Sequence, residues 1–269
     1  MSFPLLFAAA FLGGALNSVA GGGSFLTLPA LLYAGVAPVS ANATSTFAMW
    51  PASLSSAVAY RREIGQAREW TLRLGFISLV GGLLGGLLLV RTSDESFIRL
   101  LPWLLLLATA TFTFGGHVAA WTRRRSSARA VSPLAAASSG HEVGRAAGES
   151  AVRPPLWMLP LQLAIATYGG YFGGGMGIMM MAGMAIAGMT DIHEMNGLKT
   201  VLAIAINGVA LATFIATGAI AWAPGVVMVA GGVAGGYLGA STARRVSAAQ
   251  VRWFVIGIAW AMTVYFFVR

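Results

Sequence analysis

Two glycine runs, Gly21-Gly22-Gly23 before Ser24 and Gly173-Gly174-Gly175 before Met176, interrupt apolar stretches of a 269-residue chain. Residues without side chains let a backbone turn sharply and leave its N–H groups open to a ligand. A half-helix starting after each break, over roughly 25–34 and 178–188, points its positive N-terminal end at the middle of the segment. Unpaired N–H groups and the helix dipole together favour an anion there. The alternative is that the glycines serve close helix packing alone. A polar stripe follows each break: Asn42, Thr46 and Ser53 stand at i, i+4 and i+11, and Asn196, Thr200 and Asn207 repeat that spacing 154 residues later. Side chains so spaced share one helix face. In an apolar span they turn toward the bundle interior or a cavity, as ligand contacts or as hydrogen bonds between helices. Lys199, the one Lys in the chain, lies on the second stripe where the first has Ser45. It either attracts an anionic substrate or reaches to the membrane interface. The candidate substrate-binding set is Gly21, Gly22, Gly23, Ser24, Asn42, Ser45 and Thr46 in the first half, and Gly173, Gly174, Gly175, Met176, Asn196, Lys199 and Thr200 in the second.

Other chemistry is sparse. Asp191, His193 and Glu194 just precede Lys199 and suit a solvated cap of the span better than a proton relay. His117 follows Gly115-Gly116 and reads as interfacial. There is no Cys and no metal-ligand spacing, so neither a metal nor a cofactor is expected. Met176, Met179, Met180, Met181 and Met184 give one half-helix adaptable packing. No phosphate-binding loop, nucleophile elbow or convergent acid–base pair is present, and no enzyme is expected.

The elements that hold these residues follow from composition. With 57% hydrophobic and only 9% charged residues, the chain cannot solvate a water-facing surface, which needs nearer a quarter charged. Its solvent is lipid. A soluble enzyme, a disordered tail and a disulfide scaffold are excluded on the same ground. Continuous rather than alternating apolar runs indicate helices, each needing ~20 residues to span. The reading gives 3–34, broken at 20–24, then 39–60, 71–90 and 97–119. The second half gives 156–188, broken at 173–177, then 194–217, 222–241 and 248–267. Gly81/Gly85, Gly82/Gly86, Gly231/Gly235 and Gly232/Gly236 have the small-xxx-small spacing of close helix packing.

The two glycine breaks, the two stripes and the two glycine ladders recur in order at offsets of 152, 154 and 150, the signature of a duplication. Residues 1–120 and 156–269 are the expected repeats, and 121–155 a basic, flexible cytoplasmic linker in which six Arg face two Glu. Net charge is +9, but it sits at span ends without aromatic interleaving, which points to membrane orientation and not to nucleic acid. The start lacks a basic region, so no cleaved signal peptide is expected. The loop 61–70 is basic where its equivalent near 218–222 is uncharged, while 242–247 is basic where 91–96 sets Arg91 against Asp94 and Glu95. Equivalent loops therefore lie on opposite sides and the repeats are inverted. Each broken segment must then enter and leave on one side, as a re-entrant hairpin. The expected fold is all-α and integral to the membrane, each repeat a broken-helix hairpin plus three transmembrane helices. The segments 61–70, 120–155 and 242–247 are expected inside and both termini outside.

The run from Gly13 to Leu31 (GGALNSVAGGGSFLTLPAL) resembles the first signature of the TauE/SafE sulfite exporter family. Ala41 to Thr46 with the span to Tyr60 is similar to its pattern, and Gly169–Gly177 with Asn196–Thr200 to the repeated copy. The second copy departs at Met176, where the first has Ser24, and at Lys199 in place of Ser45. The resemblance implies a multi-pass permease of the cell (inner) membrane that moves sulfite, organosulfonates or related small anions, often outward. The partners it implies are the small anionic substrate and the lipid bilayer, with a homodimer left open. An ion-coupled importer on the same scaffold is the alternative.

Overall fold

The computed structural model describes residues 2–19, 22–59, 68–130, 154–189, 191–242 and 248–268. Ten helices and no strand stand among them. In chain order these are α1 Phe3–Val19, α2 Ser24–Tyr33, α3 Pro38–Ala59, α4 Arg68–Arg91 and α5 Asp94–Ala130. The second set is α6 Met158–Tyr171, α7 Met176–Ile186, α8 Ile192–Ala216, α9 Trp222–Thr242 and α10 Ala248–Val268. Both expected breaks are present, between α1 and α2 and between α6 and α7.

Two observations bear on the expected boundaries and spans. Helix α5 stays helical to Ala130, through the first ten residues of the expected linker 121–155. Ala, Arg and Ser carry it on, with no Pro before Pro133. The remainder of the linker, 131–153, and most of the loops 61–70 and 242–247 lie outside the described residues. Over the described residues, only Glu69–Arg91, Asp94–Phe114 and Glu194–Ala216 are long and apolar enough to cross a membrane. Helix α3 falls short because its Ser, Thr and Asn residues dilute its apolar character. Trp222–Leu238 of α9 and Ile256–Val268 of α10 are apolar stretches within helices of 21 residues each.

The bundle is built with its small residues inside. On α4, Leu72, Phe76, Leu79 and Leu83 form an exposed apolar stripe at i, i+4, i+7 and i+11, while Gly81, Gly82, Gly85 and Gly86 are buried on the other face. That is the pattern of a helix with lipid on one side and backbone on the other. A side chain at Gly81 would meet the Leu163 carbonyl at 3.0 Å, and one at Gly85 would run into that of Thr167, so α4 and α6 lie in backbone contact and run the same way. Likewise Gly231 sits against the Phe7 carbonyl and Gly235 against that of Phe11, placing α9 along α1 in the same direction. The paired glycines are therefore packing residues, as their spacing predicts.

Further contacts fix the other directions. Gly82 abuts Ile206 and Gly86 abuts Ala210, so α8 runs with α4. Thr44 Oγ1 accepts from the Ala221 N–H at 3.0 Å and Gly232 abuts Ala48, so α3 runs with α9. Val39 N–H donates to Asp94 Oδ1, which brings the starts of α3 and α5 together. Helix α10 opposes α5: Trp103 meets Phe267, Thr109 meets Thr263 and Thr113 meets Trp260. Thus α1, α3, α5 and α9 run one way, and α4, α6, α8 and α10 the other. The two short helices fold back on their predecessors. Gly13 lies against Gly23 and Thr27, while Met158 lies against Gly183 and Gln162 Nε2 donates to Met180 Sδ.

Thr109 and Thr263 carry a modest prediction. Their hydroxyls are buried 3.0 Å apart, and Thr263 also donates to the Ala259 carbonyl, so Thr109 is the donor of the pair. Such bonds between membrane helices average ~0.6 kcal/mol in mutant cycles. Thr109→Val and Thr263→Val should each lower stability slightly, with a coupling of about that size in the double variant, read from unfolding in mixed micelles.

Candidate functional site

The chain reverses direction at glycines held in the left-handed region: Gly22 at φ +90° in the first break, Gly173 at +82° and Gly175 at +78° in the second. Only glycine takes that conformation without steric cost. Each reversal lets a new helix begin inside the bundle, α2 at Ser24 and α7 at Met176. Tyr168 fixes the second turn, its hydroxyl donating to the Gly174 carbonyl at 2.7 Å. The backbone of α5 backs it, with Ala108 Cα 3.1 Å from where a Gly175 side chain would start.

Between the two half-helix starts lies a cavity of about 360 Å³. One hairpin gives it Gly22 and Ser24, the other Gly173 to Ile178. The stripes supply Thr46 and Ser53 from α3, and Asn196, Thr200 and Asn207 from α8. Lys199 completes the wall, half-buried, with Nζ donating to Asn196 Oδ1 at 2.9 Å. At the start of α2 the Phe25, Leu26 and Thr27 N–H groups already bond to the Gly22 and Gly23 carbonyls, and at the start of α7 those of Ile178 and Met179 to the Gly175 carbonyl. Each end therefore presents to this space the partial positive charge of a helix start and the N–H groups of its first residue or two.

Hydroxyl chemistry divides the wall further. Thr46 donates to the Asn42 carbonyl, Ser53 to that of Met49 and Thr200 to that of Asn196, each four residues back. Their hydrogens are thus used on their own helices, and toward the cavity these hydroxyls offer lone pairs. The donors left for an anion are the N–H groups of the first residue or two of each half-helix, the Lys199 ammonium and the amides of Asn17 and Asn207, with Ser24 free to rotate.

Of the candidate residues, Gly22, Ser24, Thr46, Gly173, Gly174, Gly175, Met176, Asn196, Lys199 and Thr200 meet on this one cavity. Gly21 lies outside the described residues. Three others stand behind the wall. Gly23 packs on the Gly13 carbonyl and Met49 Sδ. Asn42 donates from Nδ2 to the Tyr171 carbonyl at 2.8 Å, and Ser45 pairs with Thr27, Oγ to Oγ1, at 2.6 Å. Asp191 is exposed and accepts the Glu194 N–H, so it caps α8. Sequence reasoning missed Asn17, Met49, Phe112 and Met181 on the wall. Asn17 had a signal, a lone amide one turn before the glycine break. Phe112 had none, being one apolar residue among many on α5.

The model of the family described as Sulfite exporter TauE/SafE matches residues 6–266. A probable membrane transporter protein, ORF9, from Sinorhizobium sp is 26% identical over 96% of this chain and 90% of its own length. A probable membrane transporter protein of Haemophilus influenzae is 27% identical over 96% of this chain and 92% of its own length. The probable membrane transporter protein YfcA of Escherichia coli K12 is 33% identical over 103 residues, 38% of each chain. No solved structure matches. A match over nearly the whole chain, on helices broken at the two glycine turns, makes this protein a membrane transporter belonging to the sulfite exporter TauE/SafE family.

Proposed function

We propose that the protein exports a small oxyanion, sulfite or an organosulfonate, by alternating access around the cavity between α2 and α7. The observation that carries this reading is the convergence of two half-helix N-termini and the chain's single Lys on one cavity. Its volume of about 360 Å³ is on the order of a dozen water volumes, room for an oxyanion with a substituent or with retained water. Broken helices at corresponding places of two repeats are where secondary transporters bind their cargo.

Reciprocal contacts support inverted repeats over 1–120 and 156–269, joined through 121–155. What α1 does with α9, α6 does with α4, and equivalent helices α1 and α6, α3 and α8, α5 and α10 run in opposite directions. The ends of α3, α5 and α9 then share one face of the bundle. Basic residues in the segments that follow them would orient that face to the cytoplasm of a cell (inner) membrane. No carboxylate lines the cavity among the described residues, which suits uncoupled movement of an anion down the membrane potential.

Proteoliposomes test this. Flux of sulfite, sulfate, thiosulfate and methanesulfonate should be saturable for sulfite or the sulfonate. A monoanion leaving an interior at −100 mV gains ~2.3 kcal/mol, equivalent to about a 50-fold concentration ratio at equilibrium. Flux no greater than in empty liposomes for all four anions would sink the reading. Uptake that requires a proton or sodium gradient would instead favour the coupled importer.

A further inference from the structure

Positions 25 and 177 each come one residue after the start of a half-helix, 152 apart, and positions 45 and 199 lie 154 apart on α3 and α8. The two halves fill these pairs in opposite ways. In the first, Phe25 is buried edge-to-face on Phe112, centroids 5.6 Å apart, and Ser45 is buried against Thr27, off the cavity wall. In the second, position 177 is Gly, and a Cβ built there would stand 3.2 Å from Cδ and 3.6 Å from Cγ of Lys199. The lysine stem therefore lies over the space that a side chain at 177 would fill. Its head remains on the cavity, 2.9 Å from Asn196 Oδ1. Where one half has an aromatic ring and a serine at these two positions, the other has a glycine and a long cation whose stem lies over it.

We propose that Gly177 is a specificity-determining position, its missing side chain being the slot that seats Lys199 beside the α7 N-terminus. The anionic end of the ligand is then held by the second hairpin, and the remainder faces Asn17, Ser24 and Phe112 of the first half. This assignment rests on the cavity being an anion site. It also explains why the departure of Lys199 from Ser45 coincides with a Gly where the first half has Phe. A cation at 199 needs the slot, because a long side chain keeps its charged head in a polar space only if its methylenes have a surface to lie along.

Lys199 is the only Lys, so an amine-acylating reagent read by mass spectrometry reports on it and the chain's terminal amine alone, without transport. In the full chain in nanodiscs, methanesulfonate or sulfate should slow Lys199 acylation at least fivefold. Gly177→Ala presses only on the flexible stem and should fold, with the protecting concentration raised threefold or more. Gly177→Phe should lose protection. Gly177→Phe with Lys199→Ser removes the stem that the ring would displace and should melt higher than Gly177→Phe alone. Wild-type protecting concentrations in Gly177→Ala and Gly177→Phe, or a double variant no more stable than Gly177→Phe, would overturn the slot. If neither anion protects wild-type Lys199, the anion site itself falls, and the slot with it.

Discussion

Lys199→Gln is expected to lower anion flux at subsaturating concentration by about ten- to a hundredfold while leaving the protein folded. Hydrogen bonds to a charged group contribute about 1.5–3 kcal/mol, and each 1.4 kcal/mol is a factor of ten in affinity. The loss should appear mainly in KM, because the ammonium acts on the bound anion and no bond is made or broken. The fold should survive for a reason particular to this site. The partner of Nζ is the neutral Asn196 Oδ1, so removing the charge strands no buried counter-charge, the usual cause of large losses at ion pairs. A Gln amide can still donate to the same oxygen. Lys199→Arg should retain part of the activity, since it keeps the charge but brings a wider, planar head into a slot shaped for a methylene stem. A wild-type KM in Lys199→Gln, measured for the fluxed anion, would show that the lysine is merely interfacial.

Much of this site was legible because the chain states its pattern twice. Glycine breaks and polar stripes at nearly one offset are hard to produce by composition, even in a chain with 35 Gly. The physical meaning of each break also needs no knowledge of a partner. The stripe residues leave their helices on one face but at different depths. Asn42 and Thr46 share a face of α3, yet Thr46 reaches the cavity while Asn42, one turn earlier, ties to the end of α6 at Tyr171. Helical periodicity gives the direction a side chain leaves the axis, not the height at which a cavity begins. Ser45 stands behind the wall for a different reason: it pairs with Thr27 on the folded-back α2. Met49, Phe112 and Met181 were invisible for the same cause, since apolar residues acquire a role only from what the fold sets against them. Helix α5 overran the expected linker boundary because basic residues mark the end of the apolar span and not the end of the helix.

Gly175→Val should abolish flux, with a loss of at least a hundredfold, and the comparison that proves the point is Gly35→Val. Both glycines are left-handed, at φ +78° and +81°. A β-branched residue there is a genuine outlier, and each strained residue costs of order 1–3 kcal/mol. Their surroundings differ. Gly35 is exposed, with nothing within 4 Å of a built Cβ, whereas at Gly175 that atom meets Ala108 Cα at 3.1 Å, its Cβ at 3.3 Å and its carbonyl oxygen at 3.4 Å. These are backbone and near-backbone atoms of α5, which cannot rotate away. Valine at 175 must therefore displace the start of α7, taking with it the N–H groups at the cavity and the surface on which Lys199 lies. Valine at 35 imposes the same conformational strain and displaces neither. If flux falls equally in the two variants at equal thermal stability, conformational strain accounts for the loss, and the start of α7 has no special part in holding the anion. A loss confined to Gly175→Val, with the Gly35→Val protein melting lower but transporting normally, ties transport to the position of that half-helix end.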